Sequence, residues 1–127
     1  MTHPLHVLLL ALAGAAGTLL RAGCTTLADR LLGPAFPWGT LAVNVAGSFA
    51  FGAVYGLTRT RGLLSGPHEV TLLVGLLGGF TTYSSFAFQS AEMLAHGRIA
   101  AALAYIAATN LAALASVWAG LRLCGGS

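Results

Sequence analysis

The stretch Gly75-Leu76-Leu77-Gly78-Gly79-Phe80-Thr81-Thr82-Tyr83-Ser84-Ser85-Phe86 places two adjacent glycines and two adjacent threonines inside an otherwise apolar run. Glycine disfavours a helix interior by about 1 kcal/mol relative to alanine, and threonine offers local hydrogen bonds that compete with the helical ladder. A helix is therefore expected to weaken here. Backbone released at membrane depth must be buried in protein or line a cavity. Two uses follow. Loosened carbonyls bind cations and the N-terminus of a resumed half-helix attracts anions; alternatively, neighbouring helices absorb the freed groups in a simple kink. Spacing leaves both open.

Polar side chains in the other apolar runs could line a path to that point. Asn44 supplies two donors and one acceptor group. Tyr105 and Thr109 are four apart and share a helix face, with Asn110 beside them. Ser84 and Ser85 add hydroxyls next to the weakened stretch. Such groups also glue helices together, at roughly 0.6 to 2 kcal/mol each, and only their convergence would make a pore lining. Arg21 falls inside the first apolar run, where a guanidinium costs several kcal/mol unless it snorkels or finds a partner. Snorkelling accounts for it; so does a structural anchor or an attractor of anions at a vestibule.

Helices in lipid must position these groups. Hydrophobic residues make up 57% of the 127-residue chain and charged residues 7%, against about 25% charged in a soluble domain. A helix of about 20 apolar residues crosses a bilayer, and four segments qualify: residues 5–28, 38–58, 70–93 and 99–121. Gly33-Pro34 and Pro37 separate the first two, Gly62, Gly66 and Pro67 the next two, and His96-Gly97 makes a tight turn before the last. The expectation is an all-α membrane protein, a single domain of four transmembrane helices over residues 1–127, with the third helix broken near the midplane. Small residues recur at every fourth position in the last span (Ala100, Ala104, Ala108, Ala112, Ser116, Gly120) and as Ser48, Gly52 and Gly56 in the second. Such stripes let helices approach closely.

Orientation follows the Lys/Arg bias between loops. The chain has no lysine; Arg59, Arg61 and Arg122 fall on one face, Arg30 and Arg98 on the other, joined by Arg21 if it is counted. So even a distribution gives little reason to choose one topology. Insertion both ways would permit an antiparallel homodimer, and a topology fixed by other factors is the alternative.

The same residues exclude several classes. A net charge of +3 spread this thinly is no nucleic-acid footprint, which needs clustered Lys and Arg. Asp29, Glu69 and Glu92 all lie at span ends, whereas acid–base catalysis needs partners at hydrogen-bond reach; an enzyme is not expected. Gly75 to Thr81 lacks the lysine of a phosphate loop. Cys24 and Cys124 match no metal or redox spacing and read as small buried hydrophobes. Residues 5–13 resemble a signal-peptide core, but no Lys or Arg precedes them, so they read as the start of the first span.

Three stretches are recognisable together. Gly39-Thr40-Leu41-Ala42-Val43-Asn44-Val45-Ala46-Gly47-Ser48-Phe49 resembles the second-helix signature of the Fluc (CrcB-like) family of fluoride channels. Gly78 to Phe86 is similar to that family's third-helix break, and Gly17-Thr18-Leu19-Leu20-Arg21 to its first-helix arginine motif. The match runs in order through nearly the whole chain and is looser in the fourth span. The resemblance implies an antiparallel, dual-topology homodimer in the cell inner membrane that exports fluoride passively through two pores. It also implies a structural sodium ion on the two-fold axis, held by the backbone carbonyls of Gly78 and Thr81. Asn44, Tyr83, Phe86, Tyr105 and Thr109 would line the fluoride path, with Ser84 and Ser85 beside them, and Arg21 would serve as vestibule or anchor. Two positions depart from the family pattern: Tyr83 stands where phenylalanine is usual, and Ala113 stands where the polar track would continue with a hydroxyl.

The chemistry is consistent with that implication. Fluoride is small and holds water tightly, so a pore must offer donors at close range, as Asn44 and the hydroxyls do. Aromatic ring edges are the positive part of the quadrupole; Phe86 could meet the anion edge-on without a fixed charge that traps it. Conduction needs binding strong enough to enter and weak enough to leave. The main rival of this length is a small multidrug-efflux type cation/proton antiporter, which needs a membrane-embedded carboxylate; the first span has no acid before Asp29. A purely structural membrane subunit, the third class, would tolerate changes at Asn44 and Phe86.

Overall fold

The computed structural model describes residues 3–126, and its regular structure is entirely helical. Helix α1 spans Pro4–Leu32: His3 caps it, its Nδ1 accepting from the Leu5 amide, and proline opens the first turn where no amide is needed. Gly33, at φ 82°, ends it. Helix α2 (Trp38–Arg61) ends at Gly62, φ 60° and ψ 30°, a left-handed helical conformation that glycine adopts without a Cβ clash.

The third apolar element, Gly66–Ala95, is composite. It opens as α3 (Gly66–Val70), widens into a π-helix over Thr71–Leu77, and returns to one α-turn, α4 (Gly78–Phe80). Thr81 (φ −87°, ψ 160°) and Thr82 (φ −152°, ψ 121°) are extended, and α5 (Tyr83–Ala95) follows. The last helix, α6, runs Ile99–Gly125.

Four elements are thus long and apolar enough to cross a membrane: Pro4–Leu32, Trp38–Arg61, Gly66–Ala95 and Ile99–Gly125. Each overruns the span expected from hydropathy. A 29-residue helix is roughly 43 Å long at about 1.5 Å per residue, against a hydrocarbon core of about 30 Å. The extra turns carry Asp29, Arg30, Arg59, Arg61 and Arg122, charged side chains suited to the polar edges of a bilayer.

Two seams hold the bundle. In the first, α2 and α6 run parallel. A Cβ at Gly52 would fall on the Val117 carbonyl and 3.0 Å from the Leu121 amide, and one at Gly56 would lie 2.7 Å from the Gly125 amide. From the other side, a Cβ at Gly120 would lie 2.7 Å from the Ala53 amide. In the second seam, α1 packs along the third span. Gly17 fits against Leu76 and Phe80, Gly75 against Leu10 and Ala13, and Gly79 against Gly14.

The six-residue stripe of α6 divides between surroundings. Gly120 is buried on α2, while Ala100, Ala104 and Ala108 are exposed on the protomer. Helical geometry explains this: each four-residue step overshoots a full turn by about 40°, so five steps rotate the stripe by roughly 200°. Its two ends cannot serve one neighbour.

Candidate functional site

The two extended threonines rearrange the backbone hydrogen bonds around them. In an uninterrupted helix the Thr82 amide would donate to the Gly78 carbonyl, and the Ser85 amide to that of Thr81. Here the Thr82 amide donates to Asn44 Oδ1 at 2.8 Å, and the Ser85 amide to Thr82 Oγ1 at 3.2 Å. The carbonyls of Gly78 and Thr81 are thereby relieved of those helical donors. Gly79 is treated differently: its carbonyl accepts from Arg21 Nε at 3.1 Å. The Leu77 carbonyl receives both the amide and the hydroxyl of Thr81.

Each supporting group comes from a different helix. Asn44 of α2 also donates through Nδ2 to the Thr82 carbonyl at 2.9 Å, so its amide pairs with both backbone groups of one residue. One Nδ2 hydrogen is left over. Thr82 caps α5 through its own hydroxyl. Arg21 of α1 reaches across the second seam to the Gly79 carbonyl.

Among the described residues, no three His, Cys, Asp or Glu side chains gather to hold a metal. A hard monovalent cation is a different matter, because it takes oxygen donors and needs no side-chain carboxylate. The carbonyls of Gly78 and Thr81 are donors of that kind.

Beside the interruption lies an open cavity of about 340 Å³. Asn44, Thr81, Thr82, Tyr83, Phe86 and Thr109 border it, together with Gly47, Ser48, Phe51, Asn110, Ala113, Leu114 and Val117. No charged side chain lines it. Tyr83 is 74% exposed on the protomer, while Phe86, 5.3 Å away between ring centroids and tilted by 62°, is 4% exposed. Thr109 is 5% exposed and its hydroxyl has no hydrogen-bond partner. An unpartnered hydroxyl buried from water costs about 1–3 kcal/mol.

The remaining sequence candidates lie elsewhere. Tyr105 is fully buried, packed on Phe86 at 5.2 Å, and its O–H donates to Gln89 Oε1 at 2.8 Å. Ser84 contacts Thr82 Oγ1 at 3.4 Å, and Thr82 Oγ1 also donates to Ser85 Oγ. Ser85 and Arg21 border a second, polar cavity of about 200 Å³ with Thr25, Asp29, Thr40, Thr82 and Gln89. Gln89 also lines a third pocket, of about 160 Å³, with Glu92, His96 and Arg98.

Gln89 and Ser48 were not among the residues singled out for chemistry. Gln89 had a usable signal, since it lies three residues after Phe86 on the same face and is a neutral polar side chain within a span. Ser48 had none, because its spacing to Gly52 and Gly56 reads as packing.

Comparison with known proteins adds an independent line. The family model described as CrcB-like protein, Camphor Resistance (CrcB), matches residues 8–121. A protein of Chelativorans sp. named fluoride-specific ion channel FluC is 43% identical over 118 residues, covering 93% of this chain and 94% of its own. Proteins with the same name from Sorangium cellulosum (47% over 103 residues, 81% of each chain) and Thermus thermophilus (43% over 118 residues, 93% and 94%) are similar to it as well.

Proposed function

The chain belongs to the CrcB-like (Fluc) family, and from that premise we propose that it is a fluoride channel releasing the ion passively across the cell inner membrane. Its role is to limit intracellular fluoride toxicity. The observation that carries this reading is the lining of the 340 Å³ cavity: neutral donors and aromatic side chains with no fixed charge. Fluoride must exchange its water for donors and still leave, and such a lining binds without trapping.

The working unit is an antiparallel, dual-topology homodimer with two pores, the interruption at Thr81 and Thr82 lying near the membrane midplane. The exposed ring of Tyr83 and the open side of the cavity favour completion by a second copy. Asn44, Tyr83, Phe86 and Thr109 line each pore, with Ser84, Ser85 and Tyr105 behind them. A structural sodium ion is held by the carbonyls of Gly78 and Thr81 from both subunits, and the rerouted amides of Thr82 and Ser85 support that assignment. The antiporter reading is not favoured, because the carboxylates stand at helix ends.

Fluoride efflux from liposomes carrying the purified protein, read with a fluoride electrode and repeated for chloride, tests the reading. Rapid fluoride release without chloride release is expected. Silence for both ions from a folded protein overturns it. Phe86→Ile is expected to abolish release while leaving the dimer intact, and normal flux in that variant would remove Phe86 from the pore.

A further inference from the structure

Ser48 enters the sequence as the head of a packing stripe with Gly52 and Gly56. The structure separates it from both. Gly52 and Gly56 are buried against α6, whereas Ser48 borders the 340 Å³ cavity along with Asn44, one turn earlier on the same face of α2.

Its hydroxyl differs from those that fold back on their own helix, as do the unpartnered hydroxyls of Thr58 and Thr109. Thr25, Thr60, Thr71, Thr81 and Ser90 each return the hydroxyl to the carbonyl four residues back. That is the usual way a helix satisfies a serine or threonine in an apolar setting. Ser48 makes no such bond, so its O–H is available to the cavity. Thr109 borders the same space, and its buried hydroxyl has no protein partner.

The register of the first seam gives Ser48 a particular place. Gly52 meets Val117 and Leu121; one turn back on parallel helices, Ser48 stands level with residues 113–117 of α6. Ala113 and Val117 are cavity residues too, and neither has a donor. The polar series Tyr105, Thr109 on α6 therefore loses its hydroxyl at the level where α2 presents one.

We propose that Ser48 is a further donor to the permeating anion, binding dehydrated fluoride together with Thr109 and supplying from α2 the hydroxyl that Ala113 lacks on α6. The proposal rests on the fluoride-channel reading. It separates Ser48 from the glycines of its stripe: they hold helices together, and it touches the ion.

Efflux from liposomes, measured over a range of fluoride concentrations for wild type, Ser48→Ala, Ala113→Ser and the double variant, tests it. Ser48→Ala is expected to reduce flux roughly tenfold or more, the order for one lost hydrogen bond to a charged partner. Its unfolding midpoint in detergent should match wild type, because Ser48 bonds to no protein group. Adding Ala113→Ser to Ser48→Ala should recover most of the flux. Wild-type flux in Ser48→Ala, a loss accompanied by a lowered midpoint, or a loss that Ala113→Ser does not recover would each overturn the proposal. A wild-type protein that releases no fluoride removes the channel reading itself, whereas an unaffected Ser48→Ala beside an active wild type removes only the role of Ser48.

Discussion

The α2–α6 seam and the contact of α1 with the third span use glycine for the same purpose and lead to different structures. In the first, Gly52, Gly56 and Gly120 let two unbroken helices touch backbone to backbone. In the second, Gly17, Gly75 and Gly79 permit an equally close approach, but the partner widens into a π-helix and leaves helical geometry at Thr81 and Thr82. Glycine therefore accounts for proximity and not for the interruption. What distinguishes the second seam is a set of outside partners for the released backbone: Asn44 on both groups of Thr82, Arg21 on the Gly79 carbonyl, and the Thr82 hydroxyl on the Ser85 amide. Where water is absent, a backbone bond can be given up only if another replaces it.

The contrast is sharpest for changes that attack one seam and spare the other. Gly52→Leu should have the largest effect, since its Cβ would meet the main chain of Val117 and Leu121, which cannot move aside as a flexible side chain could. Overpacking typically costs about 1–3 kcal/mol, and backbone on both sides puts this case at or above the upper end. Little folded protein should survive size-exclusion chromatography in detergent. Gly23→Ala is the matched control: nothing lies within 4 Å of its Cβ, and alanine should stabilise α1 by up to about 1 kcal/mol. Equal tolerance of both changes would contradict the α2–α6 seam.

Asn44 tests the second seam. Asn44→Ala leaves the amide and carbonyl of Thr82 without their partners, at about 1–3 kcal/mol for each group. Asn44→Asp keeps the acceptor for the Thr82 amide but loses the donor and adds a negative charge. Unfolding midpoints should therefore fall below wild type in both variants, in Asp because its second oxygen meets the Thr82 carbonyl. Fluoride flux should be lost in both variants, in one through the altered backbone and in the other through repulsion of the anion. An aspartate variant with normal flux would take Asn44 off the path.

Arg21 comes next. If its contribution is the Nε bond to Gly79, Arg21→Lys should fail to replace it, because an ammonium is a point charge without the guanidinium fork. A loss of about 1.5–3 kcal/mol is expected for a hydrogen bond to a charged group, seen as a lowered unfolding midpoint in both Lys and Gln variants. Full function with lysine and none with glutamine would reassign Arg21 to attracting anions.

Much of this arrangement could be read in the chain because its signals are local. Four apolar runs are legible from hydropathy, and the weakness of the third follows from Gly78-Gly79 and Thr81-Thr82 being neighbours. The glycine pair nevertheless stays helical in α4, and only the threonines are extended. Propensity locates the weak stretch; the residue that yields depends on where Asn44, 38 positions away, can reach. Arg21 left three readings open for the same reason, since its partner is 58 residues distant. Ser48 was illegible as lining because helix rotation about the packing seam decides which face meets the cavity, whereas Gln89 was marked by its place three residues after Phe86.

The smallest effect discriminates most finely. Thr82 caps α5 with its hydroxyl, and in doing so keeps the Ser85 amide away from the Thr81 carbonyl. Thr82→Val keeps the shape and removes the cap, at a cost of about 1 kcal/mol, whereas Thr82→Ser retains the oxygen. Stability should separate the two by only that amount. Sodium dependence should. Without the cap, the Ser85 amide is free to turn to the Thr81 carbonyl, which would then be occupied as a cation ligand. The sodium concentration that supports half-maximal fluoride release, measured after exhaustive dialysis, should rise in the valine variant and stay at the wild-type value in the serine variant. Equal sodium dependence in all three proteins would mean that the cap serves only the helix, and the case for a cation at Gly78 and Thr81 would lose the rerouted amide that supports it.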